Sequence, residues 1–244
     1  MPALELLAKL GVHVKPKKVI GIYGPPMVGK SVLAGIVAGE YAGDEGRVFV
    51  VATERHYFDD DYMAMIRRYL PKNAEVKTVL KVDEVFKTLY ALKNALRKDV
   101  TGKRVVILDS LSFVALDMSA YYFSTGLGVR PASAQIIPVI NALSAMLKSL
   151  AVSTYSLAIA IMHAGSTAGA GKFRGITGLK PSMSMRAGHA FDYLLQLDMD
   201  PVNRDNRILT VVANRVAPET EGSSIKIRFV GKTIEPVVEE EAET

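Results

Sequence analysis

The sequence contains no cysteine and no tryptophan. The first absence excludes a disulfide framework, thiolate metal sites and a cysteine nucleophile. Uninterrupted apolar runs are short, and none reaches the roughly 18 residues that a bilayer-spanning helix needs. Residues 1–10 lack a positively charged region followed by an apolar core and a small-residue cleavage site. Together these absences predict a cytoplasmic protein with no membrane association. The missing Cys and Trp, with abundant Val, Lys, Arg and Glu, also match the composition of a thermophile's protein.

What is present is enough chain for a large core. With 244 residues and no evident boundary, a single α/β core over 1–236 is expected, followed by an acidic, flexible tail at 237–244. The formal net charge is +5 and the pI about 9.2. Glu239, Glu240, Glu241 and Glu243 sit at the very end, so the body is more basic than the total implies. A basic body favours polyanionic partners such as nucleic acid.

The chain is organised around Gly24-Pro25-Pro26-Met27-Val28-Gly29-Lys30-Ser31. This run fills the template G-x-x-x-x-G-K-[ST]. In that device, backbone N–H groups converge on the α/β-phosphates, Lys30 reaches the β/γ-phosphates and the Ser31 hydroxyl binds Mg²⁺. Val32 comes next in the opening helix, whose positive dipole end faces the anion. The motif must follow a strand and open a helix. The β-type run 18–23 and the helical pattern 30–41 meet both conditions. Pro25 and Pro26 lack the N–H groups that other residues would offer.

Further along, near-continuous apolar runs at 47–52, 105–108 and 157–162 read as buried parallel strands. Helical patterns fall at 58–70, 83–98 (with Asp83 as cap) and 132–152, and a short strand near 76–79. The stretches 193–199, 208–214 and 225–230 alternate as antiparallel strands do. The predicted fold is a mostly parallel central sheet with helices on both faces and a C-terminal antiparallel edge.

Three polar residues end buried strands on one edge of that sheet, where α/β folds bind ligands. Asp109 is placed to hold Mg²⁺ beside Ser31. Glu54 is placed either to activate water near a γ-phosphate or simply to pair with Arg55 at the surface. His163 is placed to hydrogen-bond a γ-phosphate and report it to the loop behind. His189 is read as near the nucleotide or a subunit interface, and His13 and His56 as structural or solvated. Two segments, 117–131 and 164–187, read as irregular. The first carries Tyr121, Tyr122 and Arg130, and the second Lys172, Phe173, Arg174, Lys180 and Arg186. Positive charge with interspersed aromatics suits single-stranded nucleic acid; the alternative for the first segment is that Tyr121, Tyr122 and Phe123 pack into the core or an interface.

This order of parts resembles the RecA/RadA family of recombinases, in particular archaeal RadA-like paralogs consisting of the ATPase core alone. The resemblance covers about residues 11–236. It rests on the phosphate loop, Thr53-Glu54, Leu108-Asp109-Ser110, Ala187-Gly188-His189-Ala190 and Asn214-Arg215-Val216-Ala217-Pro218-Glu219. It implies an ATP hydrolase using ATP and Mg²⁺, with Glu54 as catalytic base beside Lys30. The two irregular segments would be DNA-binding loops, and Arg215 and Pro218 would approach nucleotide across a subunit interface. Single-stranded DNA and a full-length RadA-type recombinase are the partners implied.

The chain also departs from the family. Ile161-Met162-His163 replaces T-N-Q at the γ-phosphate sensor. Some fifteen residues precede the core, so the family's helix-hairpin-helix domain is expected to be missing, as is its Phe-containing polymerisation motif. These departures leave oligomerisation open but argue against filaments and strand exchange. Three competing readings are a KaiC-like ATPase acting on protein partners, a small-molecule kinase, and an interaction module that does not hydrolyse nucleotide.

Overall fold

The computed structural model describes residues 1–98, 102–165, 180–181 and 189–237. After an N-terminal helix α1 (Ala3–Lys9), strand β1 (Val19–Gly24) runs into α2 (Lys30–Ala42), and β2 (Arg47–Ala52) comes next. A 3-10 turn (Arg55–Phe58), α3 (Asp60–Arg67), β3 (Glu75–Thr78) and α4 (Val82–Lys98) complete the first half. Then come β4 (Arg104–Asp109), α5 (Leu111–Ser124), α6 (Val129–Thr154), β5 (Leu157–Gly165) and the short β6 (Lys180–Pro181). The end is β-rich, with β7 (Tyr193–Met199), β8 (Asn206–Asn214), β9 (Ser224–Val230) and β10 (Thr233–Pro236).

The strands lie in the order β10-β9-β8-β7-β1-β5-β4-β2-β3, with β6 paired to β5 off that path. From β7 to β3 every pairing is parallel. The edge from β7 through β10 is antiparallel. Every residue of β1 and β4 is buried, as expected for strands covered on both faces. One face packs under α1, α2 and α3, with Leu6, Leu33, Val37 and Ile66 in its core. The other packs under α4, α5 and α6, with Leu89, Leu111, Leu143 and Leu147. The mixed α/β fold is the one expected from the sequence.

Several local expectations need correction. Residues 58–70 do not form one helix, because Asp59 restarts the chain: its carboxylate accepts the Tyr62 amide and caps α3. Asp83 lies in the first turn of α4 rather than at its cap, paired with Lys87 at 3.1 Å. The stretch 117–131 is not irregular but helical, split by a turn between α5 and α6. Ser110 starts α5 by accepting the Phe113 amide, and the break between the two helices contains Gly126 at a φ of +82°. Tyr121 and Tyr122 therefore stand on a helix, and Arg130 lies in the first turn of another.

One helical segment, Ala134–Thr154, is long and apolar enough by length and composition to cross a membrane. Here its apolar stripe, Ile136, Ile140, Leu143, Leu147 and Leu150, is buried in the core under the sheet, the 3-4 spacing of a packed helix. Its Lys148 reaches Asp192, which also pairs with Lys18 and accepts the Val19 amide at 2.8 Å.

Burial works to raise the Asp192 carboxyl, but the Lys148 hydrogen bond and the other donors outweigh it and hold it below the usual aspartate range. Its stabilising contribution is therefore complete above about pH 4, the unfolded aspartate value, and is lost as pH falls from there through the depressed folded value. Thermal midpoints of Asp192→Asn should be lower than wild type at neutral pH. The gap should close on acidification below pH ~4.

Candidate nucleotide site

The parallel register brings the carboxyl ends of four strands into one row. Gly24 pairs with His163, Ile161 with Asp109, and Asp109 with Ala52, one residue before Thr53-Glu54. The Thr53 amide donates to the Asp109 carbonyl at 2.7 Å, and the Thr53 hydroxyl bonds both the amide and the carbonyl of Ser110. The Asp109–Ser110 peptide is cis. These bonds fix Glu54 and Asp109 relative to one another.

The phosphate loop closes between β1 and α2. Its two glycines are required for different reasons. A Cβ on Gly24 would lie 2.0 Å from the Leu197 carbonyl oxygen of β7. Gly29 has φ of +99° and faces the Phe229 ring of β9, a conformation natural only to glycine. Arg207 on β8 donates to the Val28 carbonyl at 2.8 Å, so the antiparallel edge holds the loop from behind. With prolines at 25 and 26, the amides available to phosphate begin at Met27, itself at φ +61° and exposed. The buried Lys30 ammonium donates to the carbonyls of Gly24 and Pro25, at 3.1 and 2.6 Å. Burial lowers its proton affinity, while the nearby Asp109 and Glu54 charges act in the opposite direction.

The loop and α3 enclose a cleft of about 580 Å³, lined by Lys30, Ser31, Glu54, Asp109 and His163 among others. Ser31 Oγ donates to Asp109 Oδ2 at 2.6 Å. Burial raises the Asp109 carboxyl, as does the Glu54 charge, against hydrogen bonds from Ser31 and Tyr57 that lower it. Among the described residues no group of three or more His, Cys, Asp or Glu is placed to hold a metal ion. One hydroxyl and one carboxylate, both hard oxygen donors, nevertheless fit Mg²⁺, which takes few protein ligands and completes its shell with phosphate and water.

Glu54 sits between two imidazoles. Its Oε1 is 3.2 Å from His163 Nε2, and its Oε2 is 3.2 Å from His56 Nε2. The second contact is misaligned for a hydrogen bond, leaving that buried nitrogen without a hydrogen-bond partner. Burial works to raise the Glu54 carboxyl, yet hydrogen bonds from His163 and Ser110 and the adjacent histidines bring it below its ordinary value. The carboxylate is thus ionised at neutral pH. His163 is anchored from behind, its amide donating to Ser112 Oγ at 2.9 Å.

Of the residues singled out in the sequence, Gly24 to Val32, Glu54, Asp109 and His163 come together around this cleft. Arg215 does not. It comes directly after β8, whose Asn214 pairs with Tyr193 at the start of β7, so it lies at the opposite end of the sheet from the phosphate loop. There it contacts His189 Nδ1 at 2.8 Å, with Pro218 opening a nearby 3-10 turn. On α5, Tyr121 is exposed while Tyr122 packs partly against the core. Lys172, Phe173, Arg174 and Arg186 lie outside the described residues, as does the Lys180 side chain. Three residues at the site escape the sequence reading: His56 beside Glu54, and Tyr57 and Tyr62 beside Ser31 and Asp109. The signal is available in Arg55-His56-Tyr57-Phe58, a ring-rich run directly after Glu54.

No known protein-family model matches the sequence. No curated protein matches it either. Among solved structures, the crystal structure of the RadB recombinase matches with a TM-score of 0.67 at 20% identity, over 96% of this chain and 96% of that one. A likeness of that extent at that identity is one of fold, and the chain accordingly has a RecA-like fold, shared with the RadB recombinase.

Proposed function

We propose that this protein is an ATPase of the RecA/RadA paralog type that binds Mg-ATP and single-stranded DNA in recombination or repair. In this reading it acts in the cytoplasm as an accessory to a full-length recombinase, with 1–236 as one ATPase core. The observation that carries the hydrolase reading is Glu54, an ionised carboxylate held by His163 across the cleft from Lys30 and Ser31.

Amides from Met27 onward would cradle the phosphates, and Lys30 would leave its loop carbonyls to neutralise β/γ oxygens. Ser31 and Asp109 would hold Mg²⁺, which when bound draws charge from the same oxygens. Glu54 would hold and orient the attacking water. Its lowered proton affinity makes it a weak base, so orientation is the larger part of its role. His163, in register with Gly24 and leading into the basic segment 164–187, supplies a route from the γ-phosphate to DNA. The cations Lys172, Arg174, Lys180 and Arg186 support the DNA reading by charge.

The test is ATP turnover with and without single-stranded DNA at low salt. Turnover should rise with DNA, and DNA binding should weaken steeply with salt and on joint neutralisation of those four cations. A second reading, a RecA-superfamily ATPase acting on protein partners, is favoured by one observation: Leu116, Tyr121 and Phe123 expose apolar surface on α5. DNA that neither binds nor changes turnover would leave that reading in place of the first.

A further inference from the structure

The 3-10 turn that leaves Glu54 brings an aromatic cluster against the metal-binding pair. His56, Tyr57 and Tyr62 pack ring to ring, with centroids 5.2 Å apart for His56–Tyr57, 4.1 Å for His56–Tyr62 and 5.2 Å for Tyr57–Tyr62. Two of these rings carry hydroxyls, and both residues interact with the pair. The Tyr57 hydroxyl donates to Asp109 Oδ2. Tyr62 interacts with Ser31 and Tyr57.

Asp109 Oδ2 therefore receives two O–H donors, one from Ser31 and one from Tyr57. The carboxylate is buried and lies beside a second carboxylate, Glu54. A buried charge in that position needs fixed donors. Tyr57 is itself buried at 4% exposure, so its hydroxyl has little water to turn to. The ring stack leaves it little room to swing away.

We infer that Tyr57 is a positioning residue for Mg²⁺: by donating to Oδ2 it fixes the orientation of the Asp109 carboxylate that, with Ser31, would hold the metal. The position of Tyr57 adds a second consequence. It stands three residues after Glu54 on one short turn, so the metal carboxylate and the water-holding carboxylate share a single mechanical support. Partners of this kind behind a metal ligand are worth about 10- to 100-fold in metal affinity.

The inference rests on the Mg-ATP reading of the site, and its test separates the two. A fluorescent ATP analogue is bound to wild type and to Tyr57→Phe, first in EDTA and then across a Mg²⁺ titration. The phenylalanine keeps the ring and loses only the donor. The Mg²⁺ concentration giving half of the metal-dependent gain in affinity should rise about tenfold. Nucleotide affinity in EDTA should be unchanged, a result that mere loosening of the fold would not give. Tyr57→Leu, equally without a donor, is the second variant should Tyr57→Phe not fold. An unshifted Mg²⁺ midpoint in a folded variant would overturn the inference, as would an equal loss of affinity in EDTA. Wild type that binds nucleotide without any Mg²⁺ dependence would overturn the ATPase reading beneath it.

Discussion

Glu54→Gln is expected to lower ATP turnover by about 10²- to 10⁴-fold while leaving Mg-ATP binding intact. The amide is nearly the same size as the carboxylate and can still engage His163 and Ser110, so the end of β2 should keep its position. What it loses is the negative charge that, on the proposed reading, holds and orients water in front of the γ-phosphate. The surroundings sharpen the expectation. Glu54 is 8% exposed and lies within 3.2 Å of two imidazoles, and of the residues lining the cleft only Asp109 is another carboxylate. The Asp109 Oδ2 is already engaged by Ser31 and Tyr57. Single-turnover hydrolysis and equilibrium nucleotide binding, measured on the same preparation, check the two halves separately. Turnover within tenfold of wild type would assign the water to another group.

The second large effect concerns backbone rather than charge. Gly24→Ala would place a methyl carbon 2.0 Å from the Leu197 carbonyl oxygen, with Val28 Cγ1 at 3.3 Å on another side. The obstacle is the backbone of β7, which cannot rotate away as a side chain can. β1 and β7 must part at the point where the phosphate loop begins. Overpacking of this kind costs about 3 kcal/mol. The loop amides would move with it, so nucleotide affinity should fall at least tenfold. Gly39→Ala in α2 is the contrasting change. Its methyl would meet only Pro71 and Tyr69 at 3.8 Å, and removing a helical glycine should stabilise by about 0.5–1 kcal/mol. Chemical unfolding and nucleotide titration of both variants would show whether space alone decides the sign.

Much of this is legible in the amino-acid order. Strands β1, β4 and β5 are apolar runs because both of their faces are covered, and such runs are visible without coordinates. The phosphate template, with Asp109 and Glu54 at strand ends, marks one sheet edge by a rule of parallel topology rather than by contacts. Other features have no such signature. Tyr121 to Gly126 combines aromatics with glycine and reads as a loop, whereas the Ser110 cap and tertiary packing of Leu111 and Val114 carry the helix through. His56 reads as structural or solvated, because nothing in a one-dimensional pattern shows that a 3-10 turn will fold it back beside Glu54.

The sequence by itself determined the class of fold, the phosphate loop and the carboxylates around it, since these depend on residue type and spacing along a local segment. Only the tertiary structure decided what holds them. Leu197 and Phe229 explain the glycines of a loop about 170 to 200 positions earlier. Arg207 steadies that loop from the antiparallel edge, and Tyr57 meets Asp109 across 52 residues of chain. Such contacts depend on strand order and register, which bring distant segments to one place through burial of shared apolar faces. No local pattern encodes that meeting.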